Sequence, residues 1–165
     1  EVIDLASGTS TPGPEMSCKR HWCSAVMLHD SRVLVIGGRN STINSLSTTE
    51  ILDLTSGTSS PGPVMDIPRC GASAILLPED GGVLVIGGIE NGGTDLATTE
   101  VLDVVGNTSS AGPKLGIPRS FCEVVKLSRD RFLVIGGYSF LNGVSTSEIL
   151  DMPVEERLQQ KRHCL

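Results

Sequence analysis

Short apolar runs separated by polar turn residues are the dominant pattern along this chain. Three of them read Val-Leu-Val-Ile-Gly-Gly, Val-Leu-Val-Ile-Gly-Gly and Phe-Leu-Val-Ile-Gly-Gly, at residues 33–38, 83–88 and 132–137. Runs this short, rich in β-branched residues and bounded by turn signals, predict β-strands. Because their hydrophobicity is unbroken, we expect neighbouring sheets to cover both faces, which makes these strands the buried centre of a repeated β unit.

Other markers keep the same spacing as the glycine pairs. An acidic segment that begins with Glu and ends with Asp recurs at residues 1–4, 50–53, 100–103 and 148–151. A Gly-Pro pair follows at 13–14, 62–63 and 112–113, and an arginine comes six residues after each of these prolines, at Arg20, Arg69 and Arg119. Several markers in one order at one period indicate tandem copies of a single structural unit.

Each unit of about 49 residues predicts four antiparallel strands. The first is rich in small residues, the second is the aliphatic run, the third contains the acidic segment, and the fourth is short, polar and bounded by proline, as suits an outer edge strand. We therefore predict an all-β fold made of a partial blade (1–16), two blades (20–66 and 69–115) and a partial blade (119–152), followed by a charged tail (153–165). This division contains thirteen strands.

The glycine pair, the Glu-x-x-Asp strand and the Pro-Arg that opens the next unit (Pro68-Arg69 and Pro118-Arg119) resemble kelch repeats. The resemblance covers nearly the whole chain, although leucines stand where the family usually has Tyr, at Leu52, Leu102 and Leu150, and the outer strand lacks Trp. It implies a kelch-type β-propeller segment of about three four-stranded blades in an incomplete ring. We expect either flanking blades that this sequence does not contain or two chains that join into a ring of six blades.

Residues that recur in every unit are expected to serve the structure of each blade. We assign this role to the glycine pairs, the repeated arginines and the repeated glutamates, with each arginine pairing locally with an acidic side chain. These positions are Gly37, Gly38, Gly87, Gly88, Gly136, Gly137, Arg20, Arg69, Arg119, Glu50, Glu100 and Glu148.

Variable loops are the better candidates for function. In a four-stranded meander, the loops that enter each blade and the loops after the glycines (39–46, 89–96 and 138–144) share one rim, and the latter differ most between units. Aromatic and arginine side chains are favoured anchors of interfaces, and the kelch resemblance implies peptide contacts through Arg39, Ser120 and Tyr138. Our candidate partner-binding residues are Trp22, Arg39, Asn40, Ser120, Phe121, Tyr138 and Phe140. Alternatively, Trp22 and Phe121 fill the channel mouth or pack between blades.

Composition narrows the possible partners and chemistry. The net charge is −6 without a basic stripe, which argues against nucleic acid, and no apolar run approaches the ~20 residues that span a bilayer. Copper radical oxidases with kelch-type propellers need Tyr, His and Cys ligands that this chain does not supply. The pair Cys18 and Cys23 lacks a second ligand pair for zinc. We therefore expect no metal, no cofactor and no catalytic residue.

The function we predict is a protein-interaction module that binds a partner protein or peptide through the rim loops. The alternatives are a propeller enzyme that acts on a small sugar-like ligand and a structural scaffold of the cytoskeleton. Five cysteines, an odd number without close pairs, favour free thiols and a cytoplasmic location. Two glycosylation sequons, at residues 40–42 and 107–109, would matter in a secreted chain.

Overall fold

The computed structural model describes residues 1–41, 44–78 and 82–152. The regular elements in these residues are all β-strands. In chain order they are β1 (Val2–Asp4), β2 (Thr9–Thr11), β3 (Ser24–Met27), β4 (Arg32–Ile36), β5 (Thr49–Asp53), β6 (Thr58–Pro61), β7 (Ser73–Leu76), β8 (Val83–Ile86), β9 (Thr99–Asp103), β10 (Thr108–Ala111), β11 (Glu123–Lys126), β12 (Arg131–Ile135), β13 (Tyr138–Ser139), β14 (Asn142–Gly143) and β15 (Ser147–Asp151).

The strands form antiparallel sheets whose order follows the sequence. Strands β3-β4-β5-β6 make the first blade and β7-β8-β9-β10 the second blade, while β11-β12-β15 form a third sheet and β1-β2 an N-terminal hairpin. The predicted all-β fold with four-stranded blades in an incomplete ring is therefore confirmed. One difference is the small hairpin β13-β14, which lies in a segment that we expected to be an irregular loop.

The turns between the third and fourth strands of the units are closed by the repeated aspartates. Asp53 Oδ1 accepts the backbone N–H groups of Thr55 and Ser56 at 2.8 and 2.9 Å. Asp4 and Asp103 accept equivalent N–H groups in their own hairpins. An aspartate that captures the backbone N–H groups following it stabilises a turn. These backbone hydrogen bonds lower the pKa of Asp53 and Asp4.

The core lies between the sheets. Along β8, Val83 and Val85 pack toward the first blade, with Leu34 and Ile36 in the same cluster. The alternate residues of β8, Leu84 and Ile86, pack toward the third sheet in a cluster that also contains Phe132 and Val134. Successive side chains of a strand point to opposite faces, so an unbroken apolar run is the expected sequence for a strand covered on both sides.

Among the described residues, the third sheet has one covered and one open face. Val125, Leu133 and Ile149 lie opposite one another on β11, β12 and β15, and Val125 and Ile149 are about half exposed. By repeat position, Leu133 corresponds to Leu84, which is fully buried between the second blade and the third sheet. The open face therefore carries the residues with which a blade contacts the blade that follows it.

The charged tail expected at residues 153–165 lies outside the described residues. Residues 42 and 43 of the expected loop 39–46, and residues 79–81 before the second apolar run, lie outside them as well. In the part of the chain that the structure describes, there is no helix of the length and apolar character required to cross a membrane.

Candidate functional site

The two loop families that we expected on one rim are joined by backbone hydrogen bonds. His21 and Arg39 exchange N–H···O bonds of 3.0 and 2.8 Å, which ties the loop entering the first blade to the loop after its glycine pair. The same bridge joins Cys70 to Ile89 in the second blade and Ser120 to Tyr138 in the third sheet. Each unit therefore presents two loops side by side at the same end of its sheet.

The glycine pairs allow the next unit to approach this end closely. Gly87 and Gly88 have φ values of 60° and 98°, in the region that side-chain-bearing residues rarely adopt. A Cβ on Gly87 would collide with the carbonyl oxygen of Arg119, and the N–H of Gly88 donates to that same oxygen at 2.8 Å. Gly37, Gly38, Gly136 and Gly137 also have positive φ.

The repeated arginines are enclosed by their own units. The Arg69 guanidinium donates to Glu100 Oε1 through Nε and Nη2, at 3.1 and 2.7 Å. It also donates to the carbonyls of Gly87 and Thr98 and to the Thr98 hydroxyl. Arginine has five N–H donors, so none is left for a partner. Equivalent contacts join Arg20 to Glu50 and Arg119 to Glu148.

The repeated glutamates also hold the segment that leads into each unit. The carboxylate of Glu100 accepts the N–H groups of Asp66 and Ile67 at 2.7 and 3.1 Å, and the Ser109 hydroxyl at 2.7 Å. Burial has the largest single effect on the pKa of Glu100 and raises it. The hydrogen bonds from Ser109, Arg69 and the Asp66 N–H together outweigh burial and hold the pKa below its ordinary value.

The threonines in this network were missed by sequence reasoning, although the chain contains a signal for them. Thr48, Thr98 and Thr146 each stand two residues before a repeated glutamate and accept a hydrogen bond from its arginine partner. A search for polar residues at constant distance from the glutamate would have found them.

Aromatic side chains form a continuous cluster across the rim. The rings of Trp22 and Phe121 meet edge to face with centroids 5.5 Å apart, and Phe121 meets Tyr138 in the same way at 6.4 Å. The Arg39 guanidinium lies 5.3 Å from the Trp22 ring centroid, and its Nε donates to Ser45 Oγ at 3.4 Å. Such edge-to-face and cation–π arrangements are favourable, yet all three rings remain about half exposed.

The cluster depends on an uncommon backbone conformation. Trp22 and Phe121 occupy the same position in their units and have φ values of 56° and 50°, where bulky residues are outliers. The second blade has Gly71 at this position, with φ 60°. A Cβ on Gly71 would lie 2.7 Å from Phe121 Cζ. This glycine therefore makes the space through which the Phe121 ring reaches Trp22.

The rim hairpin β13-β14 presents two further apolar side chains. Phe140 and Leu141 form its tip with φ values of 50° and 68° and are 68% and 96% exposed. Positive φ at both central residues is typical of a type I′ turn, which strongly prefers Asn-Gly. The Phe140 N–H donates to Asp95 Oδ2 at 2.7 Å, which anchors the tip to the second blade.

A cavity of about 420 Å³ opens between these loops. Its lining includes six of our candidate residues, namely Trp22, Arg39, Ser120, Phe121, Tyr138 and Phe140. Asn40 lies exposed nearby in sequence, whereas the Ser120 side chain is only 1% exposed and belongs to the cavity wall. Ile89, Asp95 and Leu141 also line the cavity and were not among our candidates. Only tertiary structure brings them together with the aromatic residues.

Trp22 and Phe121 also border a second cavity of about 460 Å³ along the innermost strands. The alternative that they pack at the mouth of the channel is thus compatible with their positions. Groups of three or more His, Cys, Asp or Glu suited to a metal ion are absent from the described residues.

Sheets of four antiparallel strands that pack face to face through a repeated apolar strand define a repeat protein built of propeller-type blades. A family model described as the Kelch motif matches residues 23–65, which contain the whole first blade. The first blade thus carries a Kelch motif, which supports the resemblance to kelch repeats. Among curated proteins, none matches the chain. Kelch motifs indicate β-propellers, which commonly serve as protein-interaction modules and are typically not enzymes.

Proposed function

We propose that this chain is a noncatalytic interaction module that binds a partner protein or peptide through its rim loops. The observation that carries this proposal is the row of exposed aromatic side chains held in left-handed backbone conformations along one rim. Such conformations are strained and concentrate at functional sites, where the surrounding structure maintains them. Exposed aromatic residues that are already positioned lose little conformational entropy on binding, which suits interface anchors.

The hairpin tip is the sharpest element of this surface. Phe140 and Leu141 have most of their apolar surface in water and occupy a turn that other residues would form more easily. Neither stability nor solubility explains this choice of residues, whereas contact with a partner does. The proposal therefore places Phe140 and Leu141 at the contact with the partner.

The experiment is a selection from a library of random peptides displayed on phage, with the purified chain immobilised as the target. We expect selected peptides to bind the wild-type chain and to lose affinity for a Phe140→Ser, Leu141→Ser double variant. Val105→Ser is the matched control, because Val105 is also highly exposed but lies in the turn between β9 and β10, at the opposite end of the second blade. Peptides that bind the Phe140→Ser, Leu141→Ser double variant as tightly as the Val105→Ser control would overturn the assignment of the binding surface to the rim.

We further propose that the protein works in a reducing compartment, in agreement with the cytoplasmic expectation. Cys18, Cys23, Cys70 and Cys122 are free thiols, and burial raises the pKa of Cys122, which keeps it as an unreactive thiol. A thiol titration of the unfolded chain, purified without reductant, should find these groups unoxidised. Oxidised pairs would contradict the proposal.

A further inference from the structure

A buried carboxylate at the rim cavity has an oxygen without a hydrogen-bond partner. Asp95 lines the cavity and is only 8% exposed. Its Oδ2 accepts the Phe140 N–H at 2.7 Å, but Oδ1 has no partner among the described residues. Buried polar atoms are nearly always paired, and an unpaired charged group is the most costly exception. The unpaired Oδ1 therefore calls for a donor that the described residues do not supply.

The repeat itself shows that a carboxylate is not needed at this position. In the first blade the equivalent residue is Ser45, whose hydroxyl donates to the Ile89 carbonyl at 3.1 Å. In the third sheet the equivalent residue is Gly143, which pairs with Tyr138 in the rim hairpin. A hydroxyl or a hydrogen atom thus suffices elsewhere for the loop to form. Asp95 places a negative charge where the fold does not require one.

The nearby cation, Arg39, contacts other groups. Arg39 lines the same cavity, but its guanidinium lies over the Trp22 ring and donates to Ser45 Oγ. None of the ion pairs found in the described ranges involves Asp95. The contact of Arg39 with Trp22 also shows that the aromatic wall of this cavity accepts a planar cation.

We propose that this cavity is a specificity pocket for a basic side chain, lysine or arginine, of the bound partner. The cationic head would donate to Asp95 Oδ1, and its methylene stem would lie against Phe121 and Tyr138. Charge-assisted hydrogen bonds and cation–π contacts provide recognition of this kind. The net charge of −6 favours approach of basic partners over acidic ones. This inference rests on the proposed function, because it names the chemistry recognised at the same rim.

The sole tryptophan of the chain provides a direct readout, since Trp22 borders the cavity. The probes are N-acetyl-arginine methylamide and N-acetyl-lysine methylamide, with N-acetyl-citrulline methylamide as the neutral isostere of arginine. We expect a saturable change in Trp22 fluorescence with the two cationic probes, and binding of citrulline weaker by about tenfold or more. Equal responses to the arginine and citrulline probes would overturn the pocket.

Two variants test the role of the carboxylate. Asp95→Asn keeps the shape and an acceptor for the Phe140 N–H, and Asp95→Ser introduces the residue of the first blade. Both should weaken binding of the cationic probes by about tenfold or more. The thermal midpoint of Asp95→Asn should equal or exceed that of the wild type, because a buried unpaired charge is removed while the acceptor for the Phe140 N–H is kept. Unchanged probe affinity in Asp95→Asn would refute the proposal.

The peptide selection separates this inference from the function on which it rests. Selected peptides that depend on Phe140 and Leu141 but are not enriched in basic residues would refute the pocket and leave the interaction module standing. A selection that yields no peptide would count against the interaction module itself. The amino-acid probes would still show whether the pocket binds a basic side chain.

Discussion

Replacement of one glutamate tests whether the repeated arginine–glutamate pairs hold the blades. Glu100→Gln preserves the size and one acceptor oxygen of the side chain but removes its charge. In the wild type the paired side chains of Arg69 and Glu100 are 0% and 3% exposed. The variant therefore leaves the buried Arg69 charge without a counter-charge and weakens the hydrogen bonds from Asp66, Ile67 and Ser109.

The expected loss is large compared with that of an exposed pair. Breaking a buried ion pair by removal of one partner costs about 3–5 kcal/mol, because the remaining charge stays buried. The chain offers a control of the same chemistry in Arg131 and Asp151, joined at 2.8 Å but with side chains 54% and 64% exposed. Asp151→Asn should cost about 0–1 kcal/mol. Urea unfolding followed by circular dichroism measures both values.

The Arg69–Glu100 pair also predicts that the stability of the fold depends on pH. The pKa of Glu100 is lower in the folded chain than its ordinary value of 4.5. Its stabilising contribution is therefore fully present above pH 4.5 and is lost as the pH falls through the folded pKa. The difference in unfolding free energy between wild type and Glu100→Gln should shrink below pH 4.5. A Glu100→Gln loss no larger than that of Asp151→Asn, or a difference independent of pH, would refute the reasoning.

Three further predictions concern the rim and the core. Gly71→Ala should destabilise the fold by about 1–3 kcal/mol, because alanine is strained at this positive φ and its Cβ clashes with Phe121, and Trp22 fluorescence should change. Unchanged stability together with unchanged fluorescence would disprove the role of Gly71 in making space for the Phe121 ring. Replacing the 140–141 tip by Asn-Gly should raise the thermal midpoint while abolishing peptide capture. A lowered midpoint would contradict the claim that Phe140 and Leu141 are strained in this turn. Leu84→Ala should cost about 2–5 kcal/mol, and the half-buried Leu133→Ala clearly less; equal losses in urea unfolding would contradict the open face.

Much of the fold followed from the sequence alone. The apolar run with its glycine pair, the acidic segment and the Gly-Pro pair recur at nearly constant spacing, and local backbone preferences translate each marker into a strand or a turn. The unbroken run at Val83–Ile86 also showed that both faces would be covered, because a strand with one wet face alternates. The rim position of the variable loops followed from the connectivity of a four-stranded meander.

The details of the site depended on tertiary structure. Asp95 is an unremarkable loop residue in the sequence, and only the approach of the rim hairpin buries its carboxylate against Phe140. The Phe140–Leu141 tip was expected in an irregular loop, because its residues lack the preference for the I′ turn that they form. Burial, unpaired atoms and strain arise when distant segments are brought together, so local sequence preference does not reveal them. The sequence by itself determined the repeat and its blades, whereas packing between units decided the chemistry of the rim.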